Sequence, residues 1–515
     1  MSNRFSFLSR GAKISITLIV LTTIFAISYA QSPLFTSNQN QYFLHGFASA
    51  SVGNLNQDWL ANTLDPTPVF SLLIELTERY IGVQLVYYLY YAILMGIYLI
   101  SLLGIADNIY RIFRSRSKTL LMATSLIVIH SAAVRFTLSR LFGANWTYLL
   151  EDGVADQRIL GTVFQPSTFG VLLVLSIYLF LRRKPFLAIL STIIAASVHP
   201  TYLLSAGVLT FTYMMILFLE DRSFLRPILL GIFALLLVSP ILYYVYSSFG
   251  GTSPVDMAQA REILVKFRIP HHAVVSNWFD ATAVIKISIV IIAIYLARNT
   301  RLFFILLVPS LTALCLTLTQ VIFDSNWIAL LFPWRLSIFI VPLSVTTILA
   351  VLVTNILKVP AFDSNKSFQA LLIASSIFLF LTILTGGIRF KLDLDRKISQ
   401  PERSVQEFIL KNHSPGDTYL IPVKMQDFRL VADAPAYVDF KSIPYKDTDV
   451  IEWYHRERLA DRFYKSKDCT ILQELAVESD ITHVILEVEE GEINCHSLEK
   501  RYQDDYYYLM QIHSP

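Results

Sequence analysis

Long charge-poor apolar stretches recur from the N-terminus to Gly386, separated by short polar segments. They are Ile14 to Ala30, Ile81 to Ile105, Thr119 to Leu138, Ser167 to Leu181, Phe186 to Leu219, Pro227 to Tyr246, Val284 to Ala297, Leu302 to Val321, Pro333 to Leu357 and Phe368 to Gly386. A hydrocarbon core about 30 Å thick is crossed by about 20 helical residues, since every backbone group there must bond internally. Each stretch therefore predicts a membrane-crossing helix, except Phe186 to Leu219, which is too long for one. His199-Pro200 in its middle offers a break, because proline lacks an N–H and clashes with the preceding turn. With that break the count is eleven. Read as one long helix, the stretch flips everything after it and leaves the C-terminal domain cytoplasmic.

From Ile388 onward the pattern changes. Helical spacing over Ser404 to Lys411 and Asp447 to Tyr464 alternates with extended segments at Tyr419 to Val423, Ala436 to Phe440, Thr482 to Val488 and Asp505 to Ile512. Strands mixed with helices predict a small α/β layer. The predicted fold is thus an all-α polytopic membrane domain of about eleven transmembrane helices over residues 1–387, followed by a soluble α/β domain over 388–515. The membrane domain carries large external loops at 31–80, 141–166 and 248–283.

Composition sharpens this division. The chain has 515 residues, 54% hydrophobic and 16% charged, where a soluble domain carries roughly 25% charged, so a soluble enzyme is excluded. After Gly387 come 17 basic and 24 acidic residues, leaving 25 basic and 15 acidic ones before it. The overall charge of +3 comes with no basic stripe interleaved with aromatics, which argues against a nucleic-acid partner. Lysine and arginine near span ends are retained in the cytoplasm. With the N-terminus inside, the inner segments hold Arg4, Arg10, Lys13, the cluster Arg111 to Lys118, Arg182 to Lys184, Arg222, Arg226, Arg298, Arg301, Lys358 and Lys366. This predicts an integral plasma (inner) membrane protein with its N-terminus cytoplasmic and its C-terminal domain periplasmic or extracellular. The first span, ending Ser28-Tyr29-Ala30 after three basic residues, also has the form of a cleavable export signal.

Candidate chemistry gathers in the external segments. In the first loop, Asp65 before Pro66 has the position of a helix N-cap, ahead of an amphipathic helix over Thr67 to Tyr80 suited to the outer leaflet. Asp58, beside Trp59 and Leu60, is a carboxylate placed at the membrane surface, where partial desolvation raises its basicity. The second large loop carries Glu151, Asp152 and Asp156, oxygen ligands of the kind a divalent cation takes, and Arg158, which suits a phosphate; no metal site is assigned on that spacing. Arg135, Arg140 and Arg335 sit on the outer side against the charge rule. A charge near bilayer depth costs a few kcal/mol without a partner, and an anionic headgroup would be one. His199, His271 and His272 are weaker candidates. Cys469 and Cys495, both in the tail, predict a disulfide in an exported domain. Asp439, Lys441, Tyr445, Trp453 and Tyr454 form a possible recognition surface there, Trp453 and Tyr454 being equally suited to a core.

This architecture resembles the membrane glycosyltransferases with the multi-spanning GT-C fold. Within that group the segments Gln57-Asp58-Trp59, Arg158-Ile159-Leu160-Gly161, Gln165-Pro166-Ser167, His199-Pro200-Thr201, Arg268-Ile269-Pro270-His271-His272, Pro333-Trp334-Arg335, Tyr437-Val438-Asp439-Phe440-Lys441 and Pro444-Tyr445-Lys446 resemble a bacterial integral-membrane family with an exported C-terminal domain and no assigned activity. The wider resemblance implies transfer of a sugar from a polyprenyl-phosphate donor to a glycan or lipid acceptor at the outer face. It implies Asp58 as the base and Arg158 and Arg335 as phosphate ligands, with Asp152, Asp156, His199 and His271 as further substrate-binding candidates. Many such enzymes pair acids in the first loop, whereas here Asp58 and Asp65 are seven apart, which leaves a divalent cation possible and not required. A multi-span transporter or flippase, or a non-catalytic envelope assembly protein, are the alternatives.

Overall fold

The computed structural model describes residues 10–356, 364–491, 493, 495 and 497–513. Arg4 and Lys358, assigned above to inner segments, lie outside them. The chain divides into two units, one comprising Met1–Gln31, Tyr87–Leu242 and Ile269–Lys391, the other Ser32–Val86, Tyr243–Arg268 and Leu392–Pro515.

The first unit is helical, and the chain is an integral membrane protein. Among the described residues seven helices are long and apolar enough to cross a bilayer, or eight when the bent pair Arg116–Ile129 and Ala132–Phe142 counts as one span. Three shorter apolar helices, Pro166–Leu181, Pro185–Val198 and Ala281–Leu296, accompany them. The ambiguous stretch is split at His199: one helix ends at Val198, a short turn covers Pro200–Tyr202, and a second helix runs Leu203–Asp221. His199 is extended, with φ −136° and ψ 96°, as a residue before proline must be to avoid its ring.

Burial separates central from peripheral helices. The span windows in Leu85–Tyr110 and Asn326–Ile356 are 67% and 78% buried, those in Gly11–Tyr29 and Asn365–Ile398 only 17%. In lipid, helices associate by close packing and by polar contacts between side chains. Gly386 lets the last span lie against the first, since a Cβ there would fall 2.0 Å from the carbonyl oxygen of Ile27. Ser28 and Thr382 share a hydrogen bond of 3.0 Å beside that contact. Further in, Ser176 joins the Tyr213 hydroxyl at 2.9 Å and accepts from Thr192 at 2.5 Å.

The second unit carries a four-stranded sheet of order β1-β2-β4-β3 (Tyr419–Leu420, His483–Glu487, Tyr507–Ile512, Leu498–Gln503). β1 runs parallel to β2, and the other pairs are antiparallel. The helices Arg403–Asn412 and Asp447–Ser466 lie where helical spacing predicts them. The extended segment expected at Ala436 to Phe440 reduces to a single bridge between Ala436 and Tyr419, because Asp439 turns inward to accept the N–H groups of Lys441 and Ser442. Strand β3 and the helix Cys469–Ser479 have no counterpart in the sequence reading. The core around Trp453, Val484 and Leu420 also takes in Ala260 and Ile263, so the 243–268 segment packs on the tail. Cys469 and Cys495 form a disulfide with Cα atoms 5.7 Å apart.

Gly386→Val is expected to destabilise the first unit by about 1–3 kcal/mol through overpacking. Gly387→Val, where a Cβ meets nothing within 4 Å, is expected to be tolerated. Thermal unfolding of the detergent-solubilised protein, followed by size-exclusion profile, distinguishes the two.

Candidate functional site

In the first unit the 141–166 segment is folded into the protein rather than left in solvent. Glu151, Asp152 and Gln157 are 5%, 2% and 5% exposed. Its backbone is held from several helices. The Tyr91 hydroxyl donates to the Gly161 carbonyl and accepts its N–H at 3.0 Å, and Ser337 Oγ accepts from Val154 N–H at 2.8 Å. The imidazole Nδ1–H of His272 donates to the Ala155 carbonyl at 2.7 Å. Gly153 is required here, because a Cβ would lie 2.2 Å from Ser337 Oγ.

Four cations meet this loop. Lys286 Nζ lies 2.5 Å from Asp152 and donates to the Gly153 carbonyl at 2.8 Å. Arg135 lies 3.6 Å from Glu151, donates to the Tyr29 carbonyl and stacks 4.0 Å from the Tyr29 ring centroid. Arg158 sits 4.0 Å over the Tyr148 ring and 3.7 Å from the exposed carboxylate of Asp156. Arg335 donates to Gln157 Oε1 at 2.9 Å, to Thr201 Oγ1, and to His199 Nε2 at 3.3 Å. The structure thus brings the sequence candidates Arg335 and His199 together, and places Asp156 beside Arg158. His271 instead stacks on its neighbour His272 with ring centroids 4.0 Å apart.

The electrostatics follow from burial. Burial pushes the Glu151 carboxyl up to about 7, against the pull of Arg135 and with a push from Asp152. Burial likewise lifts Asp152 to about 6, against Lys286 and Arg158. Glu151 is held loosely, with Arg135 at 3.6 Å and the Tyr29 hydroxyl as its polar neighbours. Among the described residues no three His, Cys, Asp or Glu side chains converge on a site for a metal ion. The acids of this loop face cations one by one, a donor set that does not fit a divalent cation.

The second unit holds Asp58. Its carboxylate is fully buried and its bonds are all local to the unit: Oδ1 accepts from Leu60 and Ala61 N–H at 2.9 and 3.2 Å, and Oδ2 from Arg429 Nε at 2.6 Å and Ala436 N–H at 2.9 Å. Arg429 also pairs with Asp439 and donates to the Ala436 carbonyl at 2.8 Å. Asp65 is not the N-cap expected of it: the helix begins at Pro68 behind Thr67, and Asp65 instead accepts from Thr67 N–H at 2.8 Å in the turn that leads in. Trp453 is buried, with its indole N–H donating to the Asp439 carbonyl at 3.1 Å, and so belongs to the core.

Sequence reading passed over Lys286 and Arg429, and it named Lys441 in a recognition surface and Arg268 in a shared segment without bringing the two together. A lone lysine inside an apolar stretch is itself a signal, since such a charge persists only with a partner. Arg429 carries no such signal, because its partner Asp58 is 371 positions away. Arg268 Nη2 donates to the Lys441 carbonyl at 2.6 Å. A cleft nearby in the same unit is lined by Gln41, Tyr42, His45, Asp65, Thr67 and Ile443.

A model of a domain of unknown function, DUF6798, matches residues 400–460, which include Arg429 and Asp439. No curated protein matches the sequence. Among solved structures, the chain is similar to the crystal structure of ArnT from Cupriavidus metallidurans bound to undecaprenyl phosphate, at a TM-score of 0.52 and 12% identity, covering 98% of this chain and 98% of that one. The chain therefore has an ArnT-like fold.

Two outcomes are expected. Asp58→Asn, which leaves Arg429 partly uncompensated, is expected to cost about 3 kcal/mol or more. Glu75→Gln, which removes an exposed helix pair with Arg79, costs at most about 1 kcal/mol; chemical unfolding reads both. Because the folded state holds the Glu151 proton more tightly than the unfolded chain, stability falls as pH rises from 4.5, the ordinary value, to about 7. Glu151→Gln removes that slope in melting temperature against pH.

Proposed function

We propose that this protein is a membrane glycosyltransferase that moves a sugar from a polyprenyl-phosphate donor to an envelope glycan or lipid acceptor at the outer face. The observation that carries the reading is the buried second loop of the first unit, where Arg135, Arg158, Lys286 and Arg335 meet three acids, two of them lifted toward neutrality. The fold shared with ArnT, whose structure holds undecaprenyl phosphate, and the sequence resemblance to GT-C enzymes support the same reading. In it the three shorter apolar helices complete eleven crossings, the N-terminus is cytoplasmic and the C-terminal domain is exported.

Arg158 and Arg335 are the donor-phosphate ligands of this proposal. Arg335 has its guanidinium directed by Gln157, Thr201 and His199, so its orientation is set before a ligand arrives, which lowers the ordering cost of binding. Asp156 faces Arg158 and His199 accepts from Arg335, while Asp152 holds Lys286, and His271 borders the segment through His272. In the reaction the acceptor oxygen forms the new bond to the anomeric carbon, the carbon–oxygen bond to phosphate breaks, and polyprenyl phosphate leaves. The acceptor proton passes to a carboxylate. Two carboxyls compete for that role: Asp58, from the family resemblance, and Glu151, from its geometry. Glu151 is favoured, since Asp58 already accepts four hydrogen bonds that hold the first loop to the tail. A transporter remains the second reading, carried by Lys286 within an apolar helix.

The test is a profile of surface glycans and lipid-linked sugars in a strain lacking the gene. Wild type is expected to restore a missing sugar, with Arg335→Gln and Glu151→Gln present at normal level but failing to restore it, at a loss of tenfold or more. No change of any sugar in the deletion contradicts transfer, and accumulation of an unmodified lipid-linked precursor on the inner side favours transport.

A further inference from the structure

Among the described residues of the second unit, Arg268 and its neighbour Lys441 are cations drawn in from solvent that form no ion pair with a carboxylate. Arg268 is only 9% exposed. It is the last residue of a six-residue π-helix, Ile263–Arg268, a rare conformation frequent at functional sites. Its bonds are to neutral groups: Nη2 donates to the Lys441 carbonyl, the guanidinium stacks 5.1 Å from the Phe440 ring centroid, and the buried Nε has no hydrogen-bond partner. Lys441 lies beside it. Burial first, and then the positive charge of Arg268, push the Lys441 ammonium down to about 8, with Asp439 pulling the other way.

Asp439 does not supply the missing charge. It pairs with Arg429 and accepts the N–H groups of Lys441 and Ser442 at 2.7 Å each. Counting Arg429, Asp58 and Asp439 with Arg268 and Lys441, the group has three cations and two anions. Among the described residues no ion pair joins a carboxylate to Arg268 or Lys441. A buried cation and a half-buried one side by side raise each other's cost, and an anion between them relieves both. The surroundings suit a phosphorylated sugar. Tyr42 and Tyr445 lie within electrostatic reach of Arg268, Gln41 bridges to the Tyr445 hydroxyl at 3.2 Å, and the cleft adds His45, whose Nε2 is buried without a partner.

We propose that Arg268 and Lys441, with the cleft beside Tyr42 and His45, form a second anion site that binds the phosphate group of a phosphorylated sugar on the acceptor. Calling the ligand the acceptor's rests on the transferase reading, in which the donor phosphate belongs to Arg158 and Arg335; the anion site itself does not. Arginine grips phosphate through its planar fork and lysine as a point charge, so the pair distinguishes a phosphate from a neutral sugar.

The test is titration calorimetry on the full-length protein in detergent with two probes, glucose 6-phosphate and undecaprenyl phosphate, and with glucose as the uncharged control. Glucose 6-phosphate is expected to bind and glucose not. Arg268→Gln and Lys441→Gln are each expected to weaken glucose 6-phosphate at least tenfold while changing undecaprenyl phosphate by less than twofold. Arg335→Gln is expected to do the reverse. Lys441→Arg retains binding and serves as the folding control. Between pH 7 and 9 wild type loses affinity as Lys441 deprotonates, and Lys441→Arg does not. Failure of undecaprenyl phosphate to bind at all, with glucose 6-phosphate still dependent on Arg268, overturns the transferase reading and leaves the anion site standing. No binding of glucose 6-phosphate, binding indifferent to both substitutions, or loss of undecaprenyl phosphate in Arg268→Gln overturns the second site.

Discussion

Arg429 places its guanidinium between the carboxylates of Asp58 and Asp439 with all three side chains buried. Removing charge from water is costly, and in a buried triad the cost is offset only when geometry and additional hydrogen bonds are good. Here Asp58 and Asp439 each also accept two or more backbone N–H groups. The 31–80 segment is thereby fixed to the C-terminal segment, and the strap is reinforced where Asn54 N–H donates to the Asp433 carbonyl at 2.9 Å. The same demand organises the first unit, where Arg135 and Lys286 hold Glu151 and Asp152 and so carry the second loop into the protein.

That demand connects folding to chemistry. A loop held by buried ion pairs is rigid, and rigid loops position charged side chains with the accuracy that ligand binding needs. Arg335 illustrates this, with three neutral acceptors setting its direction. Glu151 is the counterpart, a carboxyl that burial pushes up to about 7 against the pull of Arg135. In the second unit the clasp uses up Asp58 and Asp439, which leaves Arg268 and Lys441 as the cations open to an outside anion.

Much of the architecture is legible along the chain because apolar length is a local property. The spans, the break at His199-Pro200 and the amphipathic helix Pro68–Tyr80 all follow from runs of neighbouring residues. Strand β3 is not legible. It lies at the sheet edge with four of its six residues exposed, so it lacks the alternation that marks a half-buried strand. The helix Cys469–Ser479 is hidden by its short length and mixed faces. Site chemistry is legible only in part. Residue types at Arg158, Arg335 and His199 suggest a ligand, but the role of Asp58 depends on Arg429, and that of Arg268 on Lys441, partners hundreds of positions distant that no local pattern reveals.

The central claim is that the arginines of the first unit receive a polyprenyl phosphate. Photoaffinity labelling of the full-length protein with a diazirine-bearing polyprenyl phosphate, followed by peptide mapping, tests it most directly. The account predicts labelling confined to peptides around residues 148–170 and 333–340, competed by undecaprenyl phosphate and lost in Arg335→Gln. Labelling elsewhere, or labelling that the lipid phosphate does not compete, would contradict it.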